Sequence, residues 1–283
     1  MTNSETTLTQ RMHWQGREIA WTRLGAGQPV VFCHGTPWSS WLWREAALAL
    51  SHDFSVYLWD MPGYGLSSMH SDHAVDLDVQ GQVLACLLDH WGLQGQAHVV
   101  AHDFGGAVSL RAHLVHGAAY RSLCLVDVVA LGEWGSPFFR LVADNHAVFE
   151  QLPPHIHQAC VQAYIQSAAH QPLAAHVLQA LCRPWLSPAG QQAFYRQIAQ
   201  ADQRFTQDIE VLYPSIAIPT HIIWGEADSW IPLARGQALQ AVIPGASLER
   251  IAGAGHLIQL DAPTALGVAL HRWLRAQSAA CVR

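Results

Sequence analysis

At 283 residues the chain is long enough to bury most of the surface that its unfolded form exposes. Hydrophobic residues make up 51% and charged residues 13%, the composition of a globular chain and not of a disordered one. A formal net charge of −6, with no basic run or arginine-rich stripe, argues against a nucleic-acid partner.

Met1–Gln10 is polar and lacks the apolar stretch of a signal peptide. No run is long enough to span a bilayer, so a cytoplasmic location without a membrane partner is expected. Gln28–Cys33 is an apolar strand-like run that ends at His34-Gly35. Phe54–Trp59 is a second, ending at Asp60 and the turn Pro62-Gly-Tyr-Gly65. Residues Asp76–Trp91 repeat apolar positions at helical spacing and stop before Gly92. Ala97–Ala101 and Ser122–Val126 read as further strands, as do Thr220–Trp224 and Ser247–Ile251. A closing helix is expected over Pro263–Leu274. Short buried strands alternating with helices predict an α/β chain with a mostly parallel, doubly wound sheet.

The stretch from about Leu131 to Pro214 carries no strand signal. It reads as helices broken at Pro153-Pro154, Pro172, Pro184 and Pro188. The expected organisation is a core from residues 1–130 and 215–283 with a helical cap over 131–214. The six cysteines, Cys33, Cys86, Cys124, Cys160, Cys182 and Cys281, show no CxxC pair or zinc spacing and read as reduced thiols.

Directly after the third strand stands Ala101-His-Asp-Phe-Gly-Gly106. A sharp strand-to-helix turn that displays a nucleophile needs small residues two before and two after it, which Ala101 and Gly105 supply. The displayed residue is Asp103. An aspartate that merely caps the helix would not require those flanking small residues.

Here the chain resembles the α/β hydrolases, specifically the aspartate-nucleophile branch of epoxide hydrolases and haloalkane dehalogenases. The resemblance runs through His34-Gly-Thr-Pro37, Asp60-Met-Pro-Gly-Tyr-Gly65, the turn at Asp103, Trp224-Gly-Glu-Ala-Asp228 and Gly253-Ala-Gly-His256, in the family's order. It implies the α/β-hydrolase fold with an inserted cap. It also implies attack by the Asp103 carboxylate on an sp3 carbon, giving an alkyl ester that His256 hydrolyses by activating water. Asp228 is preferred as the acid that orients His256, with Asp127 as the alternative position that some members use. The backbone N–H groups of Thr36 and Phe104 are implied as the oxyanion donors. No metal or cofactor is called for.

The leaving group divides the branch. An epoxide oxygen needs a proton donor, supplied in epoxide hydrolases by two cap tyrosines. A halide needs N–H donors, commonly a tryptophan after the nucleophile and an asparagine or second tryptophan. Phe104 and Thr36 stand where those halide donors are usual, and the arginines of fluoroacetate-type dehalogenases have no counterpart at Phe104 or Ala107. Phe194-Tyr-Arg-Gln197 is close to the family's tyrosine-arginine element, which nominates Tyr195 as ring-opening acid. Tyr164 is the candidate second donor, with His155 and His157 as substitutes. Trp134 and Trp185 are the indoles that could still serve a halide. His34 and Trp38 are expected to line the substrate site.

With 12 tryptophans, much aromatic surface should line an apolar pocket between cap and core. The expected partners are a small-to-medium apolar molecule and water, with a homodimer left open. The expected activity is epoxide hydrolase-like; the alternatives are a haloalkane dehalogenase with relocated donors and a ligand-binding chain that has lost turnover.

Overall fold

The computed structural model describes residues 7–279. The first six residues of the polar N-terminal run, and Cys281, lie outside the described residues. In chain order the elements are β1 (Gln10–Trp14), β2 (Arg17–Leu24), β3 (Gln28–Cys33), α1 (Arg44–Leu50), β4 (Phe54–Trp59) and α2 (Leu77–His90). They continue with β5 (His98–Asp103), α3 (Phe104–Leu114), β6 (Ser122–Val128), α4 (Pro137–Phe149), α5 (Pro154–Gln166), α6 (Ala175–Cys182), α7 (Pro188–Gln200) and α8 (Arg204–Glu210). The chain closes with β7 (Thr220–Gly225), α9 (Leu233–Val242), β8 (Ser247–Ile251), α10 (Ile258–Asp261) and α11 (Pro263–Ala279).

The strands form one sheet in the order β1-β2-β4-β3-β5-β6-β7-β8. From β4 onward every neighbouring pair is parallel, whereas β1–β2 and β2–β4 are antiparallel. Every residue of β5, β6 and β7 is buried, as expected of parallel strands covered on both faces. The pleat sorts them into two cores. Val31, Val99, Ala101, Leu123 and Leu125 face one side, and Val30, Phe32, Val100, Cys124 and Val126 the other.

The β1–β2 hairpin escaped the reading of the sequence. Its turn is Gln15-Gly16, both with positive φ (45° and 75°), a two-residue loop in the sense that suits strand twist. Gln-Gly is a weaker turn signal than Asn-Gly, and the short β1 is half exposed.

Between β6 and β7 all the regular structure among the described residues is helical, α4 to α8 with short 3-10 turns. Two of the prolines that read as breaks, Pro154 and Pro188, are helix starts, and so is Pro137. Pro137, Pro154 and Pro188 each occupy a first turn, where a missing N–H costs nothing. Ser136 and Ser187 cap two of these helices, accepting from Phe139 N and Gly190 N. The neck of the insertion is stitched across. The Tyr213 hydroxyl donates to the Ala130 carbonyl (2.5 Å), and Glu210 accepts from Gly132 N (2.5 Å). No helix among the described residues is long and apolar enough to cross a membrane.

Candidate active site

Asp103 ends β5 and starts α3 with φ 52° and ψ −125°, a conformation costly for any side chain-bearing residue. Close packing enforces it. A side chain at Gly105 would strike the Cys33 and His34 carbonyls, and one at Gly35 would strike the Asp103 carboxylate itself. The turn therefore pushes that carboxylate out at the carboxyl edge of the sheet, where open α/β sheets hold their ligands.

Its two oxygens are held differently. Oδ1 accepts from Thr36 N at 2.6 Å, and Oδ2 lies 3.2 Å from His256 Nε2. The Phe104 backbone N–H, next in sequence, adds a smaller stabilisation of the charged carboxylate. His256 follows β8 in a tight loop and its Nδ1–H donates to Asp228 Oδ2 at 2.9 Å. Asp228 Oδ1 accepts from Trp230 N and Ile231 N, both at 2.8 Å, which fixes the carboxylate in the loop after β7. Burial alone would lower the His256 pKa, but Asp228 and Asp103 hold it well above its ordinary value. Burial likewise would raise that of Asp103, and the contact with His256 keeps it below the usual carboxylate range. The arrangement is an imidazolium between two carboxylates.

Asp127 does not join this chain. Its Oδ1 accepts from Gly225 N at 2.8 Å and its Oδ2 has no partner among the described residues. Burial, then the charge of Asp228, pushes its pKa well up, so it is held neutral. Asp127→Asn is expected to leave turnover within a few-fold, whereas Asp228→Asn lowers it roughly 10³- to 10⁴-fold. Steady-state kinetics on the two variants checks this.

A cavity of about 180 Å³ opens beside Asp103. Its walls are Thr36, Phe104, Val128, Val129, Trp134, Phe139, Tyr164, Trp230, Ile231 and Leu239, with Glu133, Ser136 and Arg235 also lining it. Phe104 packs edge-on against Trp134 (5.2 Å) and Phe139 (6.0 Å), giving an apolar wall next to the carboxylate. Tyr164 comes from α5 in the insertion and stacks on Trp230 at 4.6 Å. Its hydroxyl makes no hydrogen bond among the described residues. Burial, then the charges of Asp103 and Tyr64, raise its pKa, so it stays a protonated donor.

Several of the expected groups are placed or engaged otherwise. Tyr195 does not line the cavity. Its hydroxyl donates to His157 Nδ1 (2.9 Å), because His157 Nε2–H is committed to the Trp185 carbonyl (2.8 Å). The Tyr195 proton is thus taken inside the insertion, and His157 has no ring nitrogen left to offer. His34 lies behind the turn, its Nδ1–H donating to Gly35 O and its Nε2 accepting from Met61 N. Trp38 is buried and stacked on Trp230 (5.9 Å), outside the cavity wall. The indoles are engaged as well: Trp134 Nε1 donates to Thr206 Oγ1 (2.9 Å) and Trp185 Nε1 to Pro37 O (2.9 Å).

Trp230 and Gln197 were missed. Trp230 stacks on the His256 ring at 5.2 Å and donates through Nε1 to Ser167 Oγ of the insertion (3.1 Å). The signal was Asp228-Ser-Trp, an aspartate turn that carries an aromatic residue over the histidine. Gln197 sits one helical turn after Phe194, and its Oε1 accepts from Thr36 Oγ1 (2.7 Å) and Tyr64 Oη (2.8 Å).

Comparison with known proteins accords with this fold. A profile of the Alpha/beta hydrolase family matches residues 30–268. The chain belongs to that family. An α/β hydrolase fold protein from Burkholderia ambifaria superposes with a TM-score of 0.90 and 48% identity, covering 93% of this chain and 97% of that one. Haloalkane dehalogenase 2 of Mycobacterium tuberculosis is 25% identical over 264 residues, 87% of each protein. Polyketide synthase ThaQ of Burkholderia thailandensis is 27% identical over 238 residues, 84% of this chain but 11% of that much longer protein.

Proposed function

We propose that the protein hydrolyses a strained cyclic ether of apolar, small-to-medium skeleton through an aspartyl ester, an epoxide hydrolase-like reaction. The observation that carries this reading is a carboxylate, not a hydroxyl, at the turn, with His256 on one oxygen and the Thr36 N–H on the other. A hydroxyl needs its proton removed before it attacks; the Asp103 carboxylate is already ionised. Asp103 Oδ2 forms a bond to a ring carbon, the ring C–O bond breaks, and its electron pair passes to the oxygen. Tyr164 gives that oxygen its proton. With Asp103 esterified and its charge gone, the His256 imidazolium passes its proton through solvent to the Tyr164 phenolate. Neutral His256 then takes a proton from water as that water attacks the ester carbonyl, whose oxygen sits against the Thr36 and Phe104 N–H groups. Asp103 leaves as carboxylate, the diol departs, and His256 is again the imidazolium between two carboxylates. No metal or cofactor enters this balance.

Attack of Asp103 on an acyl carbon would give a mixed anhydride, which disfavours carboxylic ester hydrolysis. The second reading is a haloalkane dehalogenase, favoured by the resemblance to the mycobacterial dehalogenase. Against it, the Trp134, Trp185 and Trp230 indole N–H groups are all occupied.

The test is paired replacement of the two tyrosines, with diol formation from an epoxide panel as readout. Tyr164→Phe is expected to lower kcat about 10²- to 10⁴-fold. Tyr195→Phe should leave kcat within a few-fold and cost about 1 kcal/mol of stability through its lost hydrogen bond. The reverse order of effects would dismiss Tyr164 as the acid, and halide release with no diol would establish the second reading.

A further inference from the structure

In the resting protein, charge holds the base near the nucleophile. The His256 imidazolium lies 3.2 Å from Asp103 Oδ2, and the two attract each other. That attraction goes once Asp103 is an ester, because an ester is neutral. Yet this is the stage at which His256 must sit beside the water that attacks the ester carbonyl. A misplacement of about 1 Å there costs about 10²-fold in rate. The alignment therefore needs a support that does not depend on charge.

His102 is placed to supply it. It precedes Asp103 at the end of β5, is fully buried, and takes no part in the reaction steps. Its Nε2 lies 2.9 Å from the His256 carbonyl oxygen. A carbonyl only accepts, so Nε2 carries the proton and donates it. Nδ1 then bears none, and has no partner among the described residues. The His102 and His256 rings lie 4.8 Å apart, and the Trp43 ring meets His102 at 90° and 6.1 Å. Burial, then the charge of His256, pushes the His102 pKa down to about 3. His102 thus stays neutral near neutral pH, and its bond to the carbonyl is the same before and after alkylation.

Other ties of the base loop run elsewhere. Ala254 O accepts from Ala227 N (2.9 Å) in the loop of Asp228, and Gly255 N donates to Asp261 Oδ2 (2.9 Å). Apart from the Asp103–His256 contact itself, the His102 bond is the hydrogen bond that joins β5 to this loop among the described residues.

We propose that His102 is a positioning residue: through its bond to the His256 main chain it keeps the base aligned on the Asp103 ester after the ion pair has gone. This rests on the aspartyl-ester reading above and gives its second step a support. His102 touches no substrate and exchanges no proton, so the balance of atoms in that reading is unchanged.

The two steps separate this role from a purely structural one, since hydrolysis of the ester needs an aligned base and its formation does not. Single turnovers with styrene oxide, stopped by rapid quench and weighed as intact protein, time both. His102→Phe keeps a ring in place and loses the N–H. Its ester is expected to form at a rate within a few-fold of the native one and to decay about 10²-fold more slowly, so that the adduct accumulates with His256 intact. His102→Gln carries an amide N–H about where Nε2–H stood, and decay should return to within a few-fold of native. His102→Asn, whose amide is too short to reach that carbonyl, replaces His102→Phe in the comparison should the latter fail to fold.

Decay at the native rate without the N–H overturns the proposal alone. So does equal slowing of both steps together with a lowered Tm, which marks a structural role, or decay as slow in His102→Gln as in His102→Phe. Absence of any ester in the His256→Gln protein overturns the aspartyl-ester reading, and the proposal falls with it.

Discussion

Incubated with an epoxide, the His256→Gln protein is expected to gain the mass of one whole epoxide and to keep it. The gain should map by proteolysis to the peptide that contains Asp103. Nothing in the ester-forming step needs His256 as a base, because the attacking oxygen is already an anion. The second step does need one: water must lose a proton as it attacks the ester carbonyl. Glutamine fills the space and can donate its amide N–H to Asp228, but it takes no proton. Turnover should therefore stop after a single stoichiometric burst, with steady-state activity lower by about 10⁴-fold or more. A gain equal to a haloalkane less hydrogen halide, with none from epoxides, would transfer the assignment to dehalogenation. A rapidly turning-over variant would exclude His256 as the base.

Asp103→Asn should abolish turnover while the protein stays folded, since asparagine can keep the hydrogen bond from Thr36 N and fits the same turn. The expected loss is again about 10⁴-fold or more. The variant has a second, spectroscopic consequence. In the native protein His256 is held protonated by two carboxylates, Asp228 and Asp103, against the effect of burial. Removing the Asp103 charge leaves burial opposed by Asp228 alone, so the His256 titration must move to lower pH. Histidine NMR across a pH series reads the shift. A His256 midpoint that stays or rises would show that Asp103 and His256 do not share the electrostatic contact that their 3.2 Å separation implies. The same change happens during catalysis, because the ester is neutral. Alkylation thus lowers the His256 pKa as the base is needed.

Much of this was legible in the residues. The parallel strands were readable because strands buried on both faces are continuous apolar runs; β3, β4 and β8 fall on the expected residues. The turn at Asp103 could be found from its neighbours, since Gly105 and Gly35 answer a steric demand and not a preference. The loops were harder. Tyr195 was nominated by its place in a motif, but a helix offers only one stripe to a given neighbour. On α7 that stripe carries Phe194 and Gln197, which turns Tyr195 toward α4 and α5, where Phe149 and His157 pack against it. Trp230 and Gln197 owe their place to long-range contacts, Gln197 meeting Thr36 from 161 residues away, and no local periodicity announces such a pairing.

The stitched neck of the insertion bears on how such a chain can be altered. Ala130 and Tyr213 are bonded to each other, as are Gly132 and Glu210, so the chain leaves and rejoins the core at adjacent points. What lies between is a cassette. A loop anchored by its own closed base can change in length at small entropic cost, because closure depends only logarithmically on the residues enclosed. Replacing residues 133–209 as one block keeps that base but removes the bonds that Ser167, Trp185 and Gln197 make to Trp230, Pro37 and Thr36 beside the site. Such an exchange trades away the walls that Trp134, Phe139 and Tyr164 provide, and with them the choice of substrate.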